Sequence, residues 1–407
     1  MTTLVQKYGG SSVADADRIR RVAERVVASA RDGVRVCVVV SAMGDTTDEL
    51  LALAGQVSAR PHPREQDMLL TAGERISIAL LAMAIADLGR DAISFTGSQA
   101  GIVTDAAHGK ARIVEVGGSR VRDALAAERI AIVAGFQGVS SGSHDVTTLG
   151  RGGSDTTAVA MAAALGADAC EIYTDVEGVY TADPRVVPGA RKLDAVSYEE
   201  MLELASSGAK VLMVRAVEYA RNHGVRLHVR TSFGSAEGTW VVEEAELLER
   251  PIISGISHDT SEAKVTILGV PDTPGIAARV FRPLADAGIN IDMIVQNVSA
   301  QGQTDISFTL PKADVPQAEP VLRGLAADVG AAGFSLDPDI AKVSLVGAGM
   351  KSHPAVAADM FDALADAGVN IEIISTSPIR ISCVVRGAEI ERAVSVLHER
   401  FGLAAAG

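Results

Sequence analysis

Two glycine-rich segments of the chain each join a cation to the start of a helical pattern. The first, residues 5–12 (VQKYGGSS), follows a short apolar run and contains Lys7, Gly9 and Gly10. Glycines let backbone N–H groups approach an oxyanion closely, the helix start adds a positive dipole end, and Lys7 adds a point charge. This combination suits a polyphosphate, and a purely structural Gly-Gly turn is the alternative. The sequence has neither a Walker A pattern nor a Gly-x-Gly-x-x-Gly fingerprint, which disfavours P-loop and Rossmann folds.

The second segment, residues 149–157 (LGRGGSDTT), precedes an Ala-rich helical pattern. Arg151 can hold a carboxylate with two hydrogen bonds, and Ser154 and Asp155 are typical of a helix N-cap. A capped loop would explain the glycines and Ser154. It would not explain Arg151, so we interpret this segment as a ligand-binding loop.

Hydroxyl side chains follow the predicted strand 34–40 in the segment SAMGDTTD, residues 41–48. Ser41 and Thr47 would hydrogen-bond a ligand at the carboxyl end of that strand, where open α/β sheets bind their substrates. Capping of the next helix by Thr46 or Thr47 is the alternative interpretation.

Glu74 lies among apolar residues of a long helical pattern, residues 64–88. A charged carboxylate there would be costly to bury without a cation. A bound ammonium group is one candidate partner, and a salt bridge near Arg75 is the other.

A turn-rich segment, residues 173–185 (YTDVEGVYTADPR), follows a further strand pattern. Its aromatic rings and Arg185 could cradle a nucleotide, whereas a β-hairpin would explain Gly178 and the Asp-Pro pair.

The eight histidines show no metal-ligand or catalytic-dyad spacing. A carboxylate acceptor would need no general base, because its ordinary pKa of about 4 leaves it ionised at neutral pH. It would need relief of the repulsion between two anions, which Lys7, Arg151 and helix ends offer.

Composition excludes several classes of protein. The 407 residues carry a formal charge of −14, and 48% are apolar, so the chain can bury substantial cores. Eight Phe, five Tyr and one Trp leave few platforms for base stacking, which disfavours nucleic acid as a partner. The three cysteines lie far apart and fit a reducing compartment. We see no leader and no uncharged run of about 18 apolar residues, so we expect a soluble cytoplasmic protein.

From residue 4 to 230, short β-branched runs alternate with helical patterns, which is typical of an α/β sandwich around a largely parallel sheet. The predicted strands are residues 34–40, 92–95, 130–134, 170–174 and 225–229. We predict a first domain over residues 1–232. Residues 233–250, where periodicity fades into a Gly-rich and acidic stretch, are predicted to be a linker.

The remaining sequence repeats itself. Residues 284–291 (LADAGINI) correspond to residues 364–371 (LADAGVNI), and each copy reads as strand, helix, strand, strand, helix. We predict ferredoxin-like units over residues 261–337 and 338–407. The second copy lacks a closing strand, and we expect residues 251–260 to supply it, since an open edge would invite aggregation.

Together, the motifs resemble those of the aspartokinase family, most closely its actinobacterial members. The matching segments are KYGGSS at 7–12, SAMGDTTD at 41–48, GERIS at 73–77, GRGGSD at 150–155 and YTDVEGVYTADPR at 173–185. They occur in the family's order, and the resemblance covers nearly the whole chain. It implies an amino-acid-kinase three-layer α/β/α sandwich followed by two ferredoxin-like (βαββαβ) ACT domains. It also implies ATP-dependent phosphorylation of L-aspartate to 4-phospho-L-aspartate, the entry to lysine, threonine, methionine and diaminopimelate synthesis.

The resemblance assigns roles residue by residue. It implies catalytic roles for Lys7, Arg151 and Asp155. The implied ATP contacts are Lys7, Tyr8, Gly9, Gly10, Thr174, Asp175, Tyr180, Thr181, Asp183, Arg185 and Lys210. The implied aspartate contacts are Ser41, Thr47, Glu74, Arg151, Gly152, Gly153 and Ser154, with Glu74 at the ammonium and Arg151 at a carboxylate. Mg²⁺ is expected on ATP, with no ligand from protein side chains.

The ACT repeats imply feedback inhibition by lysine and threonine. The implied effector contacts are Asp272, Gly275, Ile276, Ala277, Asn290, Ile291, Asp292, Gln296, Asn370 and Ile371. The second copy has Ser-His-Pro-Ala at 352–355 in place of the Asp-Thr-Pro-Gly of the first, so we expect unequal sites. A homo-oligomer through the ACT domains is expected, with a short ACT-only chain as a further possibility.

Two alternatives stay open. One is a kinase for another acidic amino acid, such as glutamate or acetylglutamate, against which the tandem repeat argues. The other is an amino-acid sensor with a decayed kinase half, against which the joint presence of Lys7, Arg151 and Asp155 argues.

Overall fold

The computed structural model of the chain describes residues 2–31, 33–246, 251–297 and 302–404. These residues form two compact units. The first contains the described residues up to Val179, Lys192–Ala205, and those from Lys210 to position 246. The second contains Tyr180–Arg191, Ser206–Ala209 and the described residues from Pro251 onward. Two short segments that precede residue 232, the predicted end of the first domain, thus belong to the second unit.

The first unit is built around a large, mainly parallel sheet. Its strands and those of a smaller sheet are β1 (Thr3–Tyr8), β2 (Arg35–Val40), β3 (Ala92–Phe95), β4 (Ile102–Thr104), β5 (Ile113–Val116), β6 (Ile130–Ala134), β7 (Gln137–Ser140), β8 (Val146–Thr148), β9 (Ala169–Thr174), β10 (Ala195–Ser197), β11 (Leu227–Thr231) and β12 (Thr239–Val242). In the described chain, the large sheet has eight strands in the order β10, β12, β11, β9, β1, β2, β6, β3. The pair β11 and β12 is antiparallel, and the other pairs are parallel. Since β12 is part of this sheet, residues 239–242 are not the linker that the sequence predicted.

Helices cover both faces of the large sheet. They are α1 (Ala16–Ser29), α2 (Thr46–Val57), α3 (Pro63–Leu70), α4 (Ala72–Asp87), α5 (Ser119–Ala126), α6 (Gly153–Leu165), α7 (Tyr198–Ser206) and α8 (Val214–His223). On one face, α1 and α4 pack against alternate residues of β2 and β6. On the other, the almost wholly buried α6 packs against β1, β2 and β9. The predicted three-layer α/β/α sandwich is confirmed.

The helical run Pro63–Asp87 is long and apolar enough, by length and composition, to cross a membrane. Its apolar face, with Ile78, Leu81 and Ile85, is instead buried in the core beside β2 and β6. The run therefore packs against the large sheet along one face, and its polar residues Asp67 and Glu74 are also buried.

The second unit contains two repeats of one ferredoxin-like fold. Their strands are β13 (Gly255–Asp259), β14 (Glu262–Pro271), β15 (Asp292–Gln296), β16 (Gln303–Pro311), β17 (Gly333–Asp337), β18 (Ile340–Val346), β19 (Ile373–Ser377) and β20 (Arg380–Arg386). Their helices are α9 (Ile276–Asp286), α10 (Val315–Val329), α11 (Ala355–Asp366) and α12 (Ile390–Arg400). The first sheet has the order β15, β16, β14, β17, and the second has the order β13, β18, β20, β19.

The edge strand of the second repeat comes from a distant part of the sequence. Strand β13 pairs antiparallel with β18, with Ile256 opposite Leu345, and so fills the place that β17 fills beside β14 in the first repeat. This is the sheet for which the sequence analysis proposed residues 251–260. The pairing covers the edge of β18 that would otherwise carry unpaired backbone groups.

Candidate active site

A lysine and an aspartate meet at the carboxyl end of the central strand. Lys7 is the penultimate residue of β1, and Asp155 lies in the first turn of α6. Their Nζ and Oδ1 atoms are 2.6 Å apart, and the side chains are 13% and 10% exposed. A Cβ at Gly9 would lie 3.3 Å from the Lys7 Nζ, so the glycine keeps the space beside the ammonium open. The result is a sheltered cation at the edge where parallel strands present their ligands.

The loops that follow β1 and β2 are held together through their backbones. The Ser41 N–H donates to the Tyr8 carbonyl at 3.1 Å, and the Gly44 N–H donates to the Gly10 carbonyl at 3.1 Å. A Cβ at Gly10 would lie 3.0 Å from the carbonyl oxygens of Ala42 and Gly44, so a larger residue would separate the loops. Half-buried Ser41 is thereby fixed beside the glycine turn of β1.

Glu74 is buried in the first turn of α4, at 2% exposure. Its Oε1 accepts a hydrogen bond from the Ala42 N–H at 3.1 Å, whereas its buried Oε2 has no hydrogen-bond partner among the described residues. Burial raises the pKa of Glu74 to about 7. A buried carboxylate oxygen without a donor costs free energy, which a cation placed against it would recover. The site is therefore prepared for a positively charged group.

The glycine-rich loop before α6 carries the matching positive group. Arg151 is exposed and makes no ion pair within the part of the chain that the structure describes. Gly152 has φ +71°, and a Cβ there would lie 2.1 Å from the Met213 Cγ, so only glycine fits. Gly153 and Ser154 begin α6, whose N–H groups and dipole favour an anion. This loop can therefore present a guanidinium and a helix N-terminus to a carboxylate or phosphate.

The other predicted nucleotide contacts of the first unit fall into two groups. Thr174 ends β9, where its hydroxyl donates to Asp175 Oδ1 at 3.0 Å, and Lys210 is exposed. Tyr8, by contrast, is fully buried and stacks on Tyr173, with ring centroids 4.6 Å apart. The Tyr8 side chain is therefore inaccessible to a nucleotide, and only the Tyr8 backbone could make the predicted contact.

Four predicted nucleotide contacts belong to the second unit. The Thr181 hydroxyl is fully buried, donates to the Leu403 carbonyl at 3.2 Å and lies 3.0 Å from His398 Nε2. Arg185 is paired with Asp183 at 2.7 Å, and its side chain is 88% exposed. The hydroxyl of Thr181 thus makes its hydrogen bonds within this unit. Tyr180 is half-buried.

The predicted effector residues of the first repeat lie around the start of α9 and of β15, and those of the second repeat, Asn370 and Ile371, lie just before β19. Gly275 caps α9 with φ +90°, and Ile276 points into the core of the first repeat. The exposed members are Asp272, Gly275, Ala277, Asn290, Gln296 and Asn370, and the half-buried ones are Ile291, Asp292 and Ile371. Ile276 therefore offers only its backbone to a ligand.

An ion-pair network that the sequence did not predict joins the two repeats around the buried Lys342. Lys342 is fully buried, with its Nζ 2.5 Å from Glu262 Oε1 and 2.8 Å from Asp292 Oδ2. Burial opposes ionisation of Asp292, but the Lys342 ammonium outweighs it and holds the pKa of Asp292 below its ordinary value. Lys264 and Glu372, at the equivalent positions of the other repeat, form the reciprocal pair. The sequence feature that could have predicted this network is a lysine inside an apolar strand of each repeat, Lys264 and Lys342, at matching positions.

Across the described ranges, no group of three or more His, Cys, Asp or Glu side chains converges on one point. A Mg²⁺ ion brought in on nucleotide phosphates needs only one or two protein carboxylates. Asp155, beside Lys7, fits that requirement.

Comparison with known proteins agrees with this architecture. The model of the amino acid kinase family matches residues 2–231, and ACT domain models match residues 264–327 and 343–401. The aspartokinase of Mycolicibacterium smegmatis is 60% identical over 407 residues, covering 99% of this chain and 97% of the relative.

Two solved structures of E. coli aspartokinase III are also similar, each at 26% identity and covering 98% of this chain and 99% of that one. The complex with aspartate and ADP has a TM-score of 0.82, and the complex with lysine and aspartate has a TM-score of 0.78. The chain therefore belongs to the aspartokinase family, as an amino acid kinase domain followed by two ACT domains.

Proposed function

We propose that the chain transfers the terminal phosphoryl group of ATP to the side-chain carboxylate of L-aspartate, giving 4-phospho-L-aspartate and ADP. The observation that carries this proposal is a pair of oppositely charged groups in the first unit, a carboxylate and a guanidinium, that lack ionic partners among the described residues. Glu74 has a buried carboxylate oxygen without a donor among the described residues, and Arg151 makes no ion pair there. A zwitterionic amino acid supplies an ammonium for the first and a carboxylate for the second.

The chemistry requires charge neutralisation rather than proton removal. The acceptor carboxylate is already ionised at neutral pH, so the obstacle is its repulsion by the phosphates. Lys7 at the end of β1 would stabilise the transferring group, while Asp155 holds the Lys7 ammonium at 2.6 Å. The N-terminus of α6 adds partial positive charge at the same edge of the sheet.

Amino-acid specificity would come from the loops around this pair. Glu74 would bind the ammonium, Arg151 a carboxylate, and Ser41, Thr47 and Ser154 would hydrogen-bond the remainder. Gly152 and Gly153 would let the backbone approach closely. E. coli aspartokinase III, whose structure contains aspartate and ADP, supports this choice of substrate.

The nucleotide would lie over the glycine turn of β1 and beside the end of β9. Gly9, Gly10, Thr174, Asp175 and Lys210 would contact it, with the backbone of Tyr8. The contacts of Tyr180, Asp183 and Arg185, which belong to the second unit, stay sequence-based predictions. Mg²⁺ carried on the phosphates would neutralise charge on the transferring group.

Regulation would act through the ACT repeats. We propose lysine and threonine as feedback inhibitors bound near Asp272, Asn290 and Asp292. E. coli aspartokinase III, which has been solved with lysine, supports the first of these. The reaction would open lysine, threonine, methionine and diaminopimelate synthesis in the cytoplasm, in a homo-oligomer formed through the ACT repeats.

An ADP-release assay, with hydroxamate trapping of the acyl phosphate, tests the proposal on aspartate, glutamate and acetylglutamate. The proposal expects turnover and hydroxamate formation with aspartate above the other two. Preference for another acidic amino acid would reassign the substrate. No turnover with any of them, together with thermal stabilisation by threonine, would favour an amino-acid sensor.

A further inference from the structure

A buried carboxylate outside the proposed contact set ties two parts of the first unit together. Asp67 lies in α3 and is 1% exposed. Its Oδ1 accepts a hydrogen bond from the Thr148 hydroxyl at 2.6 Å, and its Oδ2 lies 2.6 Å from His108 Nδ1. The Gly109 N–H donates to both oxygens, at 3.1 and 3.2 Å. Hydrogen bonds to an ionised acceptor are stronger than neutral ones, so this junction is firm.

The segment that Asp67 holds leads directly into the glycine-rich loop. Thr148 is the last residue of β8 and lies three positions before Arg151. The Ala111 N–H donates to the Thr148 carbonyl at 2.9 Å. A Cβ at Gly150 would lie 3.0 Å from the Gly109 carbonyl, so the loop rests against the same segment that Asp67 anchors.

Arg215 holds this loop from a second direction. It lies in the first turn of α8, and its guanidinium donates to the Leu149 carbonyl at 3.0 Å and to the Ala111 carbonyl at 2.9 Å. The stem of the Arg151 loop is therefore fixed on one side by a carboxylate and on the other by a guanidinium. Neither group needs to touch a substrate to do so.

Asp67 also belongs to the helical run that carries Glu74. The run Pro63–Asp87 includes both residues, and Glu74 follows Asp67 by seven positions, about two helical turns. The bond from Asp67 to Thr148 is thus a short bridge between the element that bears Glu74 and the loop that bears Arg151.

We propose that Asp67 is a positioning residue that sets the separation between Glu74 and Arg151, and thereby the fit of the amino-acid substrate. This inference rests on the proposed function, in which those two groups hold the ends of aspartate. A small displacement of a binding group is enough to lower catalytic efficiency strongly. Arg215 supports the same geometry from the α8 side.

The test compares Asp67→Asn and Thr148→Val with Glu200→Gln. Thr148→Val removes the hydroxyl that donates to Asp67, and Asp67→Asn replaces the carboxylate by a neutral amide that keeps only one acceptor oxygen for Thr148, His108 and Gly109. Both substitutions keep the shape of the side chain. Glu200 is a matched control, because it is a buried carboxylate bonded to the Ser197 hydroxyl at 2.8 Å, beside the edge strand β10. Steady-state assays give KM for aspartate and for ATP, and thermal unfolding gives the stability of each variant.

We expect Asp67→Asn to raise KM for aspartate about tenfold, the scale of one lost charge-assisted hydrogen bond, with KM for ATP within about twofold. Thr148→Val should do the same, and the effects of the two substitutions should not add in the double variant, because both act on the same bridge. Glu200→Gln should leave KM for aspartate unchanged.

Unchanged KM for aspartate in the variants that fold would overturn the inference. So would a parallel rise of both KM values that merely follows lost thermal stability, as a general structural role predicts. Should Asp67→Asn not fold, Thr148→Val alone decides. Absence of aspartate turnover in the wild type would instead overturn the proposed function and this inference with it.

Discussion

Glu74 makes the proposed aspartate site dependent on pH in a way that one substitution should abolish. Burial raises the pKa of Glu74 to about 7 from its ordinary 4.5. At about 1.36 kcal/mol per pH unit, the unliganded site opposes ionisation of Glu74 by about 3 kcal/mol. A substrate ammonium against Oε2 needs the ionised form, so binding of aspartate should strengthen as the pH rises.

The size of the effect follows from the ionised fraction. At pH 6 about a tenth of the free enzyme carries an ionised Glu74, and at pH 8 about nine tenths does. We therefore expect kcat/KM for aspartate to rise about tenfold over this interval, because kcat/KM reports the titration of free enzyme. In Glu74→Gln the rise should vanish, and kcat/KM should be lower at both pH values, since a neutral amide cannot pair with the ammonium.

Stability should change with pH in the opposite direction. Folded Glu74, with its raised pKa, holds its proton where the unfolded carboxyl has already lost its own. The folded state therefore binds more protons between about pH 4.5 and 7, and its contribution to the free energy of unfolding falls as the pH rises through that window. Thermal unfolding of wild type and Glu74→Gln without substrate measures this difference. Parallel pH profiles of kcat/KM in the two proteins would refute the assignment of Glu74.

Other substitutions test separate parts of the account. Lys7→Ala should lower kcat by about a hundredfold or more with little change in KM for aspartate, because the Lys7 contact strengthens in the transition state; a change confined to KM would contradict that role. Arg151→Ala should raise KM for aspartate by about tenfold or more, with Arg151→Lys intermediate because lysine cannot make the two-bond contact; equal KM values would remove Arg151 from the site. Lys342→Met should lower the free energy of unfolding by about 3 kcal/mol in chemical denaturation, because it leaves the buried Glu262 carboxylate without its cation; an unchanged value would show the network to be neutral.

Much of the large sheet was predictable because its strands are buried on both faces. The apolar runs at 34–40, 92–95, 130–134 and 170–174 correspond to β2, β3, β6 and β9 within a residue. Such runs arise where helices cover both sides of a parallel sheet. The run at 225–229 was placed two residues early relative to β11.

The strands of the smaller sheet and of the edge of the large sheet do not appear as apolar runs in the sequence. Strands β4 and β8 have three residues each, too few to show a period of two. Strand β12 lies between a Gly-rich stretch and an acidic one, where composition alone favoured a linker. The membership of Tyr180–Arg191 in the second unit depends on contacts with distant residues, which local patterns cannot encode.

In the candidate active site, too, some residues were predictable from the sequence and others were not. Lys7 and Asp155 were predictable because each stands at a strand end or helix start with a clear chemical purpose. The bond from the Ala42 N–H to Glu74, and the bridge from Asp67 to Thr148, join residues 32 and 81 positions apart. Nothing in the local sequence of either partner indicates the other.

The central claim is that Lys7, Glu74 and Arg151 bring an amino acid and a nucleotide together at one edge of the large sheet. A crystal structure with L-aspartate and a non-hydrolysable ATP analogue tests it most directly. We predict the terminal phosphate within hydrogen-bond distance of Lys7 Nζ and the aspartate ammonium against Glu74 Oε2, with a carboxylate on Arg151. Both ligands bound elsewhere, with Glu74 Oε2 still unpartnered, would contradict the account.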